Sequence, residues 1–308
     1  MSNPLLYLVT VLIWGSTLIA IEFQLGVVAP EVSVSYRYAA AAALLFGWCR
    51  WRGLQLRYPW RAHSRFVLLG TLLFSLNYVI AYHAQIYITS ALTAIAFSTM
   101  LWMNIANSRL FFGVRAGARV LAGAVLGICG IAVLFMPEIE TVSLSDRTLY
   151  GAALAVLGAF IASLGNMVSQ GAQKEGLPIV QSNAWGMFYG ALLTGSFAFG
   201  QGQTFNFDWS AEYVVSLMYL AVFGSVVAFG AYLTLLGRIG AHKAGYAVVM
   251  FPVVALVISF FFEGLAISIE TVVGIALVIG GNLLVVGAKS ESRPVPPDKA
   301  GEELLATN

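Results

Sequence analysis

The chain has 308 residues, 59% of them hydrophobic and 10% charged, with 16 basic and 14 acidic side chains. Soluble domains carry roughly 25% charged residues, so the composition excludes an ordinary soluble domain and predicts an all-α integral membrane protein. The formal net charge of +2 is scattered through loops and makes no basic stripe, which argues against a nucleic-acid partner.

Ten apolar runs follow one another, at roughly 4–23, 31–49, 66–85, 88–110, 116–136, 149–171, 179–199, 213–235, 242–262 and 268–288. Each is close to the ~20 residues that a membrane helix needs. The first has no basic leader and is expected to stay in the protein as a membrane helix. It carries Trp14-Gly15-Ser16 at mid-depth and Glu22 near its end. Trp14 suits a cavity wall, while Gly15 and Ser16 equally suit close helix approach. The second run holds Arg37, a charge that demands a partner in hydrocarbon. Glu22 is the expected partner by depth, in a pair that clips two helices; a grip on a substrate carboxylate is the alternative.

The third and fourth runs form a hairpin with polar and aromatic faces. Thr71, Ser75, Tyr78, Tyr82 and Gln85 step by three or four, as do Ser90, Thr93, Phe97, Met100, Asn104 and Asn107. Hydrocarbon leaves such faces unpaired, so they are expected to wall a cavity. Tyr78 and Tyr82 suit an amphipathic aromatic solute. His83 is a further candidate, although Tyr82 and His83 also suit an interfacial anchor. Trp102, on the fourth run, lies deeper than an aromatic belt. Cys49 and Cys129 fall inside apolar runs and predict neither a disulfide framework nor a metal site.

In the second half, Ser163, Asn166 and Gln170 share a face, which favours Asn166 as lining. Asn77, Asn104 and Asn282 suit interhelical hydrogen bonds worth about 1 kcal/mol. Trp185 suits a cavity floor or an interface equally. Pro252 deprives the Val248 carbonyl of its donor and should kink the ninth helix. With Gly240, Gly245 and Gly264 nearby, that kink is a candidate gate, and Tyr246 and Met250 share a face beside it. After Lys289 the chain turns polar and Pro-rich, which predicts a disordered tail over 289–308.

Loop charge tests the count. Fourteen of the sixteen basic residues fall in or beside the second, fourth, sixth and eighth loops or in the tail, whereas the odd loops carry most of the acids, Glu31 among them. By the positive-inside rule the even loops and both termini are cytoplasmic.

An internal repeat accompanies this pattern. The run from Ser90 lies over the run from Gly240 at an offset of 150, matching Ala91, Ala94, Met100, Phe111 and Phe112 to Ala241, Ala244, Met250, Phe261 and Phe262. Gly123 and Gly130 match Gly274 and Gly281 at an offset of 151. Five helices per repeat is an odd number, so the two halves are expected to be inverted, a design of secondary transporters. The units are 1–137, an extracytoplasmic linker 138–148, and 149–288.

With Trp14-Gly15-Ser16, Arg37, the fourth-run pattern and "RVLAGAVLGICGIAVL" echoed by "TVVGIALVIGGNLLV", the chain resembles the drug/metabolite transporter superfamily in its EamA-type branch. Within it the chain is most similar to bacterial aromatic amino-acid exporters. The second half departs from the pattern, with Phe160 where the first half has Trp14. The resemblance implies a secondary transporter of the bacterial inner membrane that exports aromatic or large hydrophobic amino acids by alternating access. A multidrug, purine-like or sugar-like metabolite transporter is the alternative.

No P-loop, aspartate-rich diphosphate motif or nucleophile–base set occurs, so an intramembrane enzyme is the weaker rival. A plain membrane scaffold would not need polar aromatic faces in mid-bilayer. No cofactor and no metal is expected, and the partners are a small-molecule substrate and lipid, with the protein as a monomer. With Glu22 near the end of its run and no carboxylate deep inside any run, strong proton coupling is not expected.

Overall fold

In a computed structural model, residues 1–136, 145–254 and 268–286 are described. Most of the predicted linker 138–148 (its residues 138–144), the later part of the ninth run from 255 on with Phe261 and Phe262, Gly264 beyond it, and the tail fall outside these residues. So do the side chains of Ser90 and Ala91.

Every regular element among the described residues is helical. We label the rods α1 (Asn3–Glu22), α2 (Pro30–Trp51), α3 (Trp60–Gln85), α4 (Ser90–Ser98 and Met100–Phe112, parted at Thr99) and α5 (Ala118–Leu134). The second half holds α6 (Asp146–Lys174), α7 (Ile179–Gly200), α8 (Ala211–Ile239), α9 (Ala241–Ala244, Tyr246–Val249 and residues 251–254) and α10 (Ile269–Val286). By length and composition, α1, α3, α6 and α8 are long and apolar enough to cross a membrane.

Local chemistry sets the ends. Pro30 opens α2 where its missing N–H costs nothing, and the Ser145, Ser210 and Thr89 side chains accept from the N–H groups of Thr148, Tyr213 and Leu92. At Gly113 (φ 65°) the chain leaves α4 through the left-handed region that a side chain resists. The rods α3, α6 and α8 overrun the predicted spans because their polar terminal turns continue beyond the apolar stretch.

Two rods are not uniform. Leu72–Leu76 in α3 and Leu220–Val227 in α8 are π-helical. A π turn accommodates extra residues, so side chains beyond it are rotated relative to an unbroken α-helix. Adding the repeat offset of 150 to Leu72 lands in the second π segment.

The rods pair closely as α2 with α7, α5 with α10, α1 with α8, and α3 with α6 and α7. Small residues permit this. A Cβ on Gly123 would stand 2.6 Å from the Gly281 carbonyl, and one on Gly130 would stand 2.8 Å from that of Gly274. Because 123 meets 281 and 130 meets 274, α5 and α10 run antiparallel.

Loops segregate to two ends. At one, Arg65 pairs with Glu175, Arg238 donates to the Met1 carbonyl, and Trp185 donates to Leu56. At the other, Asn206 donates to Val27, Gln24 donates to the Tyr213 carbonyl, and Tyr87 packs on Tyr150. Among the described residues, the second, sixth and eighth loops and the N-terminus therefore lie at one end, and the first, third and seventh loops at the other.

Candidate functional site

The central cavity has a volume of about 80 Å³, smaller than the ~300–1,000 Å³ usual for small-molecule sites. The α1 wall is Trp14, Thr17 and Ile21; the α3 wall is Leu73, Asn77, Tyr78, Ala81 and Gln85. From α4 come Thr93, Ala94, Phe97 and Met100, and from α6 come Ala162 and Asn166. Phe229 and Tyr232 of α8 and Val248 and Phe251 of α9 complete the ring. Its polar groups are amides, hydroxyls and an indole, and none of these lining residues is an acid or a base.

Trp14 is the hub of the aromatic wall. Its ring lies 4.8 Å from those of Phe229 and Tyr232 and 5.4 Å from Phe251, and its indole N–H donates to the Gly224 carbonyl at 3.0 Å. At the other side, Asn166 donates to the Tyr232 hydroxyl at 3.0 Å and to Asn104 Oδ1 at 3.3 Å. The carbonyl oxygens of Asn166 and Asn77 and both amide atoms of Gln85 are buried without hydrogen-bond partners. Buried polar groups are nearly always paired, so these are groups available to a bound solute.

Of the residues singled out from sequence, Trp14, Tyr78 and Asn166 line this cavity. Tyr82 does not. It is fully buried behind the wall near Arg37, and Asn77 and Ala81 take the inward face instead. The π segment lies between Thr71 and Asn77 and resets the helix phase there, so Thr71 and Ser75 leave the counted face while Tyr78 and Gln85 beyond it remain on the lining. On α4, where Thr93, Phe97 and Met100 face inward, counting and structure agree.

The remaining candidates sit elsewhere. His83 bonds Glu31 at 2.6 Å. Trp102 lies in a separate recess between α4 and α5, beside Ile105, Arg109 and Leu121. Trp185 belongs to an aromatic cluster with Phe46 (5.0 Å), His63 (4.6 Å) and Tyr189 (5.8 Å) at a loop end. Tyr246 is buried beside Gly127 and Gly281, and its hydroxyl donates to the Val278 carbonyl. Met250 packs between the two apolar cores. Pro252 is buried where α9 is broken, two residues beyond a turn at Met250, and its neighbour Phe251 reaches the cavity.

Two charge expectations are corrected. Glu22 is exposed and makes no ion pair with Arg37, because it ends α1 on the outside of the bundle. Arg37 instead donates from Nε to Ser225 Oγ at 2.9 Å and lies over the rings of Tyr78 (4.6 Å) and Tyr38 (5.3 Å). Glu31, assigned to a loop, lies in the first turn of α2 with its side chain 4% exposed, held there by His83.

Phe229, Tyr232 and Phe251 escaped the residue-by-residue reading. The repeat carried a signal for one of them, since an offset of 150 lays Tyr232 over Tyr82.

Comparison with known proteins accords with this architecture. The model of the EamA-like transporter family matches twice, over residues 1–136 and 149–287. An uncharacterized transporter, YoaV, of Bacillus subtilis is 23% identical over 274 residues, covering 88% of this chain and 91% of that protein. Protein PagO of Salmonella typhimurium is 23% identical over 296 residues, 94% of each chain. YedA of Escherichia coli, an uncharacterized inner membrane transporter, is 25% identical over 249 residues, 80% of this chain and 78% of its own. One solved crystal structure matches with a TM-score of 0.76 at 18% identity, covering 92% of this chain and 96% of that one; it speaks to the fold alone. With its two tandem matches spanning nearly all of the membrane-like region, the chain belongs to the EamA-like transporter family of the drug/metabolite transporter superfamily.

Proposed function

We propose that the protein is a secondary transporter of the bacterial inner membrane that exports aromatic or large hydrophobic amino acids by alternating access. The observation that carries this reading is the aromatic cavity around Trp14 and Tyr78, studded with unpaired amide groups. Flat rings stack a substrate side chain, and amides bond its polar end.

Ten spans in inverted halves, 1–137 and 149–288, suit the helix pairing. Exchanging each rod with the one five places along maps α2–α7 and α5–α10 onto themselves and α1–α8 onto α3–α6. The Gly123–Gly281 contact likewise maps onto Gly130–Gly274. Antiparallel mates related in this way suit a two-fold axis in the membrane plane. With both termini cytoplasmic, the end of the cavity at Ile21, Gln85 and Thr93 faces outward. The opposite ends of α6, α8 and α9 are tied by Gln173 donating to Leu233 and by the Ala241 N–H donating to Gln170. This form is then outward-facing, and the break before Pro252 is the hinge.

In proteoliposomes, labelled phenylalanine should exchange in counterflow, with tryptophan, tyrosine and leucine competing and with lysine and glutamate inert. Tyr78→Ala should abolish the exchange while the protein still inserts. Competition by purines or organic cations alone would redirect the substrate assignment.

No acid is among the described residues that line the cavity, which favours weak or absent proton coupling. Accumulation of phenylalanine against its gradient, driven by an imposed pH difference, would overturn that part. Glu31 and His83 would then be the first groups to replace.

A further inference from the structure

Arg37 lies seven residues into α2, about 10 Å along the helix axis, with no exposed surface. One of its five N–H groups is used, by Nε to Ser225. Nη1 and Nη2 make no hydrogen bond of ordinary geometry, and the groups nearest to accept from them are tyrosine hydroxyls: that of Tyr82 lies against the guanidinium and that of Tyr38 lies against Tyr78. The Ser225 hydroxyl spends its proton on the Leu220 carbonyl and accepts from Arg37 Nε. The guanidinium thus keeps N–H groups to spare beside two tyrosine hydroxyls, of which that of Tyr82 can accept from it, and the cation has no ion pair among the described residues.

Tyr38 and Tyr78 hold the flat face of the guanidinium. Cation–π contact is strongest when desolvated, as here, and it seats the charge without using its edge. The in-plane edge is what a carboxylate takes in a bidentate grip. The cavity lies next to it. Tyr78, against Arg37, also lines the cavity. Nη2 and the cavity residue Thr17 meet at Gly224, where a Cβ would stand 3.2 Å from Nη2 and 3.0 Å from Thr17 Cγ2.

We propose that Arg37, with the Tyr38 and Tyr82 hydroxyls, is a carboxylate subsite behind Tyr78, so that the transported solute is an organic acid or a zwitterion. This rests on the cavity being the transport site, and it adds a requirement for an anionic group that aromatic lining alone does not impose.

The test uses the full-length purified protein and two probes of one shape, phenylacetate and phenylacetamide, with binding measured by thermal shift. Wild type is expected to bind the acid about tenfold or more tightly than the amide, the scale of a charge-assisted hydrogen-bond pair. Arg37→Gln should bring the ratio to about one, and Arg37→Lys should leave an intermediate ratio. Should Arg37→Gln fail to fold, Gly224→Ala keeps the charge and crowds Nη2, and it should also lower the ratio. No acid preference in wild type, or a preference unchanged in these variants, overturns the subsite. Phenylalanine counterflow in the same preparations separates the two readings: acid preference without counterflow leaves the subsite standing and removes the amino acid, and counterflow without acid preference does the reverse.

Discussion

Trp14→Ala is expected to reduce transport by at least about tenfold and to lower the melting temperature measurably. The ring contacts Phe229, Tyr232 and Phe251 and so joins α1 to α8 and α9 at the cavity. Each aromatic pair is worth about 1 kcal/mol beyond its buried area. Truncating a buried Trp costs about 3–5 kcal/mol, and the lower end applies here because one face meets the cavity. At about 2–4 °C per kcal/mol for a chain of this size, the midpoint should fall by roughly 6–12 °C. Losing one substrate-stacking face of about 1.4 kcal/mol is a factor of ten in affinity. Trp14→Phe separates the contributions: it keeps a ring against Phe229 but leaves the Gly224 carbonyl without its donor. Its transport should fall between the two. Counterflow in liposomes and thermal unfolding in detergent measure both effects, and a wild-type rate for Trp14→Ala would take this cavity out of the transport path.

Gly130→Leu is expected to disrupt assembly more severely than any change in the cavity. A Cβ there would meet the Gly274 carbonyl and Val278 at 2.8 Å, and backbone cannot yield as a flexible side-chain tip can. Overpacking costs about 1–3 kcal/mol when the surroundings relax; here α5 must separate from α10. The variant should elute as aggregate in size-exclusion chromatography, and pairing it with Gly123→Leu should abolish the monodisperse species. Gly230→Leu is the control, because a Cβ at Gly230 meets nothing within 4 Å. A monodisperse Gly130→Leu protein would mean that α5 and α10 do not need this approach.

Much of the architecture is legible in the residues because hydrocarbon enforces it. Apolar runs must be helices, and the face of α4 reads directly from its spacing, Thr93 to Phe97 to Met100. Trp14 and Asn166 were found because polar or aromatic groups at mid-depth have few places to go. What escaped detection depends on neighbours. Hydropathy does not signal a π turn, so Thr71 and Ser75 part from the face that holds Tyr78 and Gln85 without any change in composition. Trp102 and Trp185 face other partners that only packing selects. Glu31 and His83 are separated by 52 positions, and nothing local marks them as a pair. Arg37 was given a carboxylate partner on charge alone, yet two aromatic faces hold it.

The π segments of α3 and α8 make these rods behave like screws with a dislocation. Removing one residue from Leu72–Leu76 would heal the helix and turn everything beyond it by about 100°. Asn77, Ala81 and Gln85 would swing off the cavity together, while the segment from Trp60 to Thr71 kept its seat on α7. In these two rods residue number is itself a coordinate of the site. Length changes that a loop absorbs would here rewrite the lining without altering a single lining residue.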